Sequence, residues 1–570
     1  MLNELSVKIS GEAGQGTKTV GMALCNIFRR CGYHVFASQD YMSRVRGGNN
    51  FFQIRIADRP VSAPREYSEI TVALDSQSVG LHNRYVSKNG IMVLDRKKFG
   101  TKEENESYFD VPMYELAEKS GNVIFLNSVA CGVVAGIIGV DFSHVENELK
   151  KIFSEKQETV IIKNIEAARS GYDFAAANFS REKLKLAPLS GQGQTPFLLK
   201  GNDAIAIGAI RAGCKFYSAY PMTPSTSIMS TIAAYSREFG IVVEQAEDEI
   251  AAINMALGAS FAGARSMTGT SGGGFALMVE GVSLAGMTET PVVIVEAQRP
   301  APATGFPTRT EQADLDFVIH AGHGEFARVV YAPGSIEEAF YLTIKAFNIA
   351  ERFQVPVMIL TDQFLADSYR NVAGFDLDRE KVARYIISRE ESRTITAYKR
   401  YQLNESGVSP RAIPSWIEEV IYVDSDEHTE EGHITEDAGL RMKMVEKRLY
   451  KKMAGLLAEA VKPVSHAAES AEIVLVGFGS TYGVIKEAVE ALPDKIGLVH
   501  FPQVWPFPAE DAKRLLKNAK KVINVENNAS GQLGKLLMRE TGIPVSGSIL
   551  KFDGRPFDLD YLLRSLGEIR

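Results

Sequence analysis

Apolar runs of strand length alternate with helix-length segments in three blocks set apart by polar stretches, and this pattern predicts a multidomain α/β protein. Two bulk properties agree. At 570 residues the chain exceeds what one hydrophobic core organises, and its 45% hydrophobic and 23% charged content is that of an ordinary globular protein. A net charge of −7 argues against nucleic acid as a partner. No run of about 20 apolar residues offers a membrane span. The N-terminal MLNELSVKIS enters a strand-like segment without signal-peptide character, so a cytoplasmic location is expected.

The first block, 1–185, opens with the strand-like LSVKIS, a glycine turn GEAGQG, and TKTVGMALCNIFRRCG with helical spacing. Strand-like runs follow at 51–57, 69–75, 90–95 and 122–126, and the alternation predicts a mainly parallel sheet. Residues 186–200, rich in Gly, Gln, Pro and Ser, read as a linker. The second block, 201–375, carries the strands KFYSAY, PVVIVEA, ARVVYA and VPVMILTD. Residues 376–465 form an irregular connecting segment. Its acidic stretch at 424–437 reads as a solvated loop, and a helical run, GLRMKMVEKRLYKKMAGLLAEA, follows. The third block, 466–570, again alternates strands (EIVLVGFGS, IGLVHFPQ, KVINVENN) with helices.

The stretch from Tyr220 to Glu280 is the most informative for chemistry. Gly, Ala, Ser and Thr dominate it, which lets backbone approach a ligand closely. Glu247, Asp248 and Glu249 stand at the start of a helix-like apolar run. A carboxyl group set against a buried cofactor needs such surroundings, where desolvation favours the protonated acid. The residues alone leave a second reading for Glu249, an exposed acid in a helix's first turn. Thr223 lies between Pro221 and Pro224, which restrain the backbone; a capping Ser/Thr cluster at the helix start is the other reading. Gly272, Gly273 and Gly274 are costly in backbone entropy, and a loop passing close to a cofactor or another subunit justifies them.

The turn Gly11–Thr19 comes near a phosphate-binding P-loop, but Lys18 falls one position late, and the dinucleotide fingerprint fails at Ala13. A tight strand–helix turn, a helix N-terminus holding another ligand's phosphates, and an NTPase site all remain open. The four cysteines are scattered without a CxxC pair, so this chain by itself is not expected to hold an iron–sulfur cluster or a structural zinc, and no metal site is expected.

YPMTPSTS, AEDEIAA, TGTSGGGFALM and QRPAPATGFPTRTEQ resemble the alpha subunit of 2-oxoacid:ferredoxin (acceptor) oxidoreductases. GEAGQGTKTVG and SRVRGGNN resemble the gamma subunit of the same enzymes, here fused ahead of alpha. GVSPRAIP, DEHTEEGHITED, FPQVWPFP and VENNASGQLGKLLMRETG extend the likeness to nearly the whole length. The resemblance implies a gamma-type α/β domain, a thiamine-diphosphate pyrimidine-binding domain and a transketolase C-terminal-like domain. It places the acid that hydrogen-bonds N1′ of the aminopyrimidine on Glu249, with Tyr220, Pro221, Gly272, Gly273 and Phe275 around the cofactor. It places Thr223 at substrate and thiazolium. It prefers Arg309 for the substrate carboxylate with Arg299 as the alternative, the bland reading of either being a surface ion pair. Gly14, Gly16, Arg44 and Arg46 become candidates for coenzyme A phosphates or a second substrate carboxylate.

The Asp/Asn signature that holds Mg²⁺ and the diphosphate is absent from the sequence, as are cluster cysteines. In the family both belong to a beta subunit carrying Mg²⁺ and a [4Fe–4S] cluster. The resemblance therefore implies half an active site, completed in a heterodimer or a dimer of heterodimers, with electrons passed to ferredoxin. The expected reaction is CoA-dependent oxidative decarboxylation, 2-oxoglutarate to succinyl-CoA being preferred over pyruvate, branched-chain oxoacids and indolepyruvate. An ATP-dependent ligase using Gly11–Thr19 and a non-catalytic scaffold are the rival readings.

Overall fold

The computed structural model describes residues 2–43, 47–102, 105–180, 184–187, 197–492 and 496–569. The first block supplies strands β1 (Glu4–Glu12), β2 (His34–Asp40), β3 (Asn49–Ala57), β4 (Ser68–Ala73), β5 (Val86–Leu94) and β6 (Tyr108–Asp110). In β1 and β3 the side chains alternate by face, as the two-residue period of a strand requires. Leu5, Val7, Ile9, Phe52, Ile54 and Ile56 enter a core shared with helices Thr17–Arg30, Leu126–Ile138, Phe142–Ile152 and Glu158–Asn178. The opposite face carries Ser6, Lys8, Ser10, Gln53 and Arg55, and it too is buried, Ser10 against Asn49 and Ser78 and Arg55 against the third block. Arg55 reaches Glu487 at 2.6 Å, and Arg65 reaches Asp560 at 2.8 Å.

Three expectations need correction here. The first sheet is not mainly parallel: β3 pairs antiparallel with both β1 and β2. A parallel crossover needs a dozen or more residues, and the connection between β2 and β3 spans only 41–48. The run at 122–126 is no strand. Asn122 accepts a hydrogen bond from Ile124 N–H and starts a 3₁₀ turn, Val123–Phe125, that leads into the Leu126 helix. The 186–200 linker ends early, since Phe197–Lys200 forms β7.

The second block adds β8 (Cys214–Ala219), β9 (Val242–Gln245), β10 (Arg265–Thr270), β11 (Val292–Gln298), β12 (Val329–Tyr331), β13 (Pro356–Asp362) and β14 (Tyr369–Val372). The third adds β15 (Val464–His466), β16 (Ile473–Phe478), β17 (Ile496–Phe501), β18 (Gln503–Trp505), β19 (Lys521–Glu526) and β20 (Gly547–Leu550). The sheets run β6-β5-β4-β1-β3-β2-β14-β7, β18-β12-β13-β11-β10-β8-β9 and β15-β17-β16-β19-β20. β14 and β7 thus extend the first sheet, and β18 caps the second antiparallel to β12. Apolar residues of β11 and β13 pack with those of β16 and β17 in one core, so the second and third blocks share an interior.

The connecting segment is largely irregular, and its acidic stretch is only in part a solvated loop. Glu427 pairs with Arg441 and Arg448, Lys399 reaches Glu430 and Glu431, and His428 is fully buried against Tyr401. Arg441 and Arg448 of the helical run dock Glu427, and Lys399 docks Glu430 and Glu431, while Asp426, Glu436 and Asp437 stay exposed. That run includes a π-helical stretch, Glu446–Lys451. From it Lys447 and Lys452 converge on Glu289, all three side chains fully or almost fully buried, with Lys452 Nζ 2.6 Å from the carboxylate.

Candidate active site

The carboxyl ends of β8, β9, β10 and β11 bring up Thr223, Glu249, the Gly272–Gly274 turn and Arg299, where open parallel sheets place their ligands. Glu249 opens the helix Glu249–Phe261, and Asp248 caps it by accepting from Ala251 N–H at 2.7 Å. The capping role turns the Glu249 side chain inward. It is 3% exposed, so it is not the solvated first-turn acid, and Thr270 Oγ1 lies 3.4 Å from its Oε1. The glycines explain how it fits: a Cβ on Gly274 would stand 2.2 Å from Glu249 Oε1, and one on Gly272 would stand 2.3 Å from Asp314 Oδ2. Gly273 is exposed. Phe275 is sealed in the core and packs edge-on against Phe317 at 5.4 Å, so it supports the turn from behind rather than presenting a surface to a ligand.

Thr223 lies on the turn after β8, half-buried, beside the intermediate Pro221 and the exposed Tyr220. Ser225 at the helix start makes no side-chain cap; its hydroxyl donates to Met222 O instead. Arg299, at the end of β11, donates from Nη1 to the carbonyl oxygen of Thr223 at 2.7 Å. Arg309 turns away and pairs with Asp40 of the first sheet at 2.5 Å. The structure therefore brings Arg299, rather than Arg309, up to Thr223.

A group of acids that the motifs did not single out lies behind these residues. Glu296 on β11 is fully buried, neither carboxylate oxygen has a hydrogen-bond partner, and burial, with Asp314 and Asp362 adding, pushes it well above the usual carboxylate range. Burial also raises Asp362, and it pushes Asp314 up to about 6. The visible signal in the sequence was one acid interrupting the apolar run PVVIVEA. A raised carboxyl costs stability as pH climbs from its unfolded to its folded value. Asp314→Asn is therefore expected to stabilise the fold by about 2 kcal/mol at pH 7.5, with a smaller gain at pH 5, in urea titrations at the two pH values.

A cavity of about 420 Å³ opens where the polar face of the first sheet meets the 308–309 loop and residues 551–564. Lys8, Arg84 and Arg555 line it, and none of the three has an ion-pair partner among the described residues. Burial lowers Lys8 to about 8. A second cavity of about 480 Å³, lined by Gly14, Gly16, Lys18, Tyr41 and Asp367, shares Gln39, Asp40 and Phe51 with the first. Gly14 and Gly16 have φ of 94° and 81°, left-handed values that favour glycine, and a Cβ on Gly16 would meet the Asn127 amide at 2.1 Å. Arg44 and Arg46 lie outside the described residues. Beside Glu249, the helices Glu249–Phe261 and Gly272–Met287 leave Ile250, Met255 and Leu277 exposed.

Family models match along the chain in three parts. These are pyruvate ferredoxin/flavodoxin oxidoreductase over residues 6–174, the thiamine-diphosphate-binding region of pyruvate flavodoxin/ferredoxin oxidoreductase over 207–447, and pyruvate:ferredoxin oxidoreductase core domain II over 471–559. The chain is 34% identical to 2-oxoacid:ferredoxin oxidoreductase 2, subunit alpha, of Aeropyrum pernix, covering 97% of this chain and 96% of that one. It belongs to the 2-oxoacid:ferredoxin oxidoreductases. The alpha subunit of a Sulfolobus enzyme of this family is 33% identical over 99% of the chain and 96% of its own length. The 2-oxoglutarate synthase subunit KorA of Archaeoglobus fulgidus is 34% identical over 61% of the chain and 93% of its own length. Among solved structures, the 2-oxoglutarate:ferredoxin oxidoreductase from Magnetococcus marinus with 2-oxoglutarate, coenzyme A and succinyl-CoA bound superposes with a TM-score of 0.93, at 29% identity and full coverage of both chains.

The chain is thus an alpha-type subunit of an oxidoreductase acting on 2-oxoacids, with a thiamine-diphosphate-binding domain, and alpha subunits of this family imply a partner subunit. The residues present fit the aminopyrimidine end of that cofactor: a buried carboxyl against a helix turn stripped of Cβ atoms, open on one side.

Proposed function

We propose that the chain is the fused gamma–alpha half of a 2-oxoglutarate:ferredoxin oxidoreductase, contributing the aminopyrimidine half of the site. The carrying observation is the juxtaposition of the buried Glu249 with Thr223 and Arg299 on a face whose exposed Ile250, Met255 and Leu277 need a cover. A beta-type subunit is that cover; it holds the diphosphate, Mg²⁺ and a [4Fe–4S] cluster and hands electrons to ferredoxin, in a heterodimer or its dimer, in the cytoplasm. Bound thiamine diphosphate supplies the thiazolium that accepts the electron pair released when the 2-oxoacid loses CO₂. Glu249 holds a proton at the aminopyrimidine N1′, with Thr270 fixing its carboxyl. Arg299 holds the substrate carboxylate and anchors the Thr223 backbone, so that the hydroxyl meets the reacting carbonyl.

Coenzyme A enters through the joined cavities. Lys8, Arg84 and Arg555, with the turn Gly14–Gly16, offer cationic and N–H groups to its phosphates. Arg309, neutralised by Asp40, borders this path. An anion is held while Lys8 is protonated, so the KM for CoA is expected to rise severalfold as pH passes about 8, and Lys8→Met removes that rise; steady-state kinetics from pH 7 to 9 check it.

Substrate choice rests on the 2-oxoglutarate relatives and on this basic surround. Viologen reduction by the complete complex should show kcat/KM for 2-oxoglutarate exceeding that for pyruvate, branched-chain oxoacids and indolepyruvate by tenfold or more. A preference for any of the others overturns the substrate assignment.

A further inference from the structure

Glu296 is buried behind the site without a donor to either carboxylate oxygen. It lies in register with Thr270 on β10, the residue that contacts Glu249, and three positions before Arg299. Of the charged groups facing it, Asp314 precedes the helix Leu315–His320 and Asp362 ends β13, both acids, and Arg299 is the one cation among the described residues. An ionised carboxylate so placed would draw the Arg299 guanidinium to itself. Arg299 instead donates to the Thr223 carbonyl oxygen, a neutral acceptor that leaves its positive charge uncompensated. Burial and the two neighbouring acids favour the neutral form of Glu296.

We propose that Glu296 is a positioning residue, an uncharged carboxylic acid that leaves Arg299 on Thr223 and free for the substrate carboxylate, and that recaptures the guanidinium when it ionises. The residue thereby links substrate affinity to pH without touching the substrate. This rests on the reading that Arg299 holds the 2-oxoacid carboxylate, and the two are separable. Arg299→Lys should raise the substrate KM at least tenfold at neutral pH; an unchanged KM sinks that reading and leaves the state of Glu296 to be decided by spectroscopy.

The test compares wild type with Glu296→Gln. In infrared difference spectra of the purified full chain at neutral pH, wild type should show the carbonyl stretch of a protonated carboxylic acid that the Gln variant lacks. In the active complex, Glu296→Gln should keep the neutral-pH KM within about threefold and abolish the alkaline rise in KM seen in wild type, with kcat little changed. Absence of the band, a tenfold higher KM for the Gln variant at neutral pH, or a wild-type KM that stays flat to the alkaline limit each overturns the proposal. Glu296→Asp, which retains a carboxyl, should keep both the band and the alkaline rise. If the Gln variant fails to fold, the Asp variant decides: loss of its band or of its alkaline rise overturns the proposal.

Discussion

Glu249→Ala in the assembled complex is expected to lower kcat by two to four orders of magnitude while the substrate KM changes by less than threefold. The magnitude is that of a general acid–base group acting in the transition state. The split between kcat and KM follows from the proposed division of roles, in which Glu249, against Thr270 and the Gly274 turn, serves the cofactor while Arg299 and Thr223 serve the substrate carboxylate. Glu249→Gln keeps the volume and the hydrogen-bonding shape but cannot exchange a proton, so it should fall nearly as far. Gly274→Ala supplies an internal control, since its Cβ would overlap both Glu249 Oε1 and Thr270 Oγ1 and should lose activity with every ionisable group intact. Wild-type activity in Glu249→Ala would assign the chain to a scaffold role.

Glu289→Ala should produce the largest loss of stability, about 3–5 kcal/mol in chemical denaturation, with kcat per folded molecule unchanged. Burial alone raises the Glu289 carboxyl, but Lys447, Lys452 and Arg400 together hold it below the usual range. Removing it leaves two lysines buried without a counter-charge. The effect is confined to stability because Glu289 precedes the amino end of β11, opposite the carboxyl ends where Glu249 and Arg299 lie. Adding Lys447→Met and Lys452→Met should recover most of the loss, since apolar side chains of similar volume tolerate the same space.

The α/β class was legible because it depends on local pattern, strand-length apolar runs between polar breaks, and so was the inward place of Glu249, an acid at the head of the apolar run IAAINMALGAS. What escaped was set by contacts between distant residues. Arg299 and Arg309 share one loop, and only the meeting of that loop with Asp40 and Thr223 separates their surroundings. The acidic stretch at 424–437 has the composition of a solvated loop until Arg441, Arg448 and Lys399 are brought to it. NVIFL has the residues of a strand, yet Asn122 diverts it into a turn. HVFASQD at β2 is too mixed in character to stand out, and it forms because β3 offers it an edge. Glu296 stood in plain view, but its meaning depends on having no partner, which the sequence does not reveal.

The claim that this chain is half a site is tested most directly by viologen reduction with a 2-oxoacid and CoA. The assay compares the purified chain, the separately purified diphosphate-binding subunit, and the two recombined in the presence of thiamine diphosphate and Mg²⁺. The expected result is no turnover from either part and full turnover from the mixture, lost again when the recombined chain carries Glu249→Ala. Turnover by the chain alone, or a stable mixed complex that reduces viologen with none of the 2-oxoacids, would contradict it.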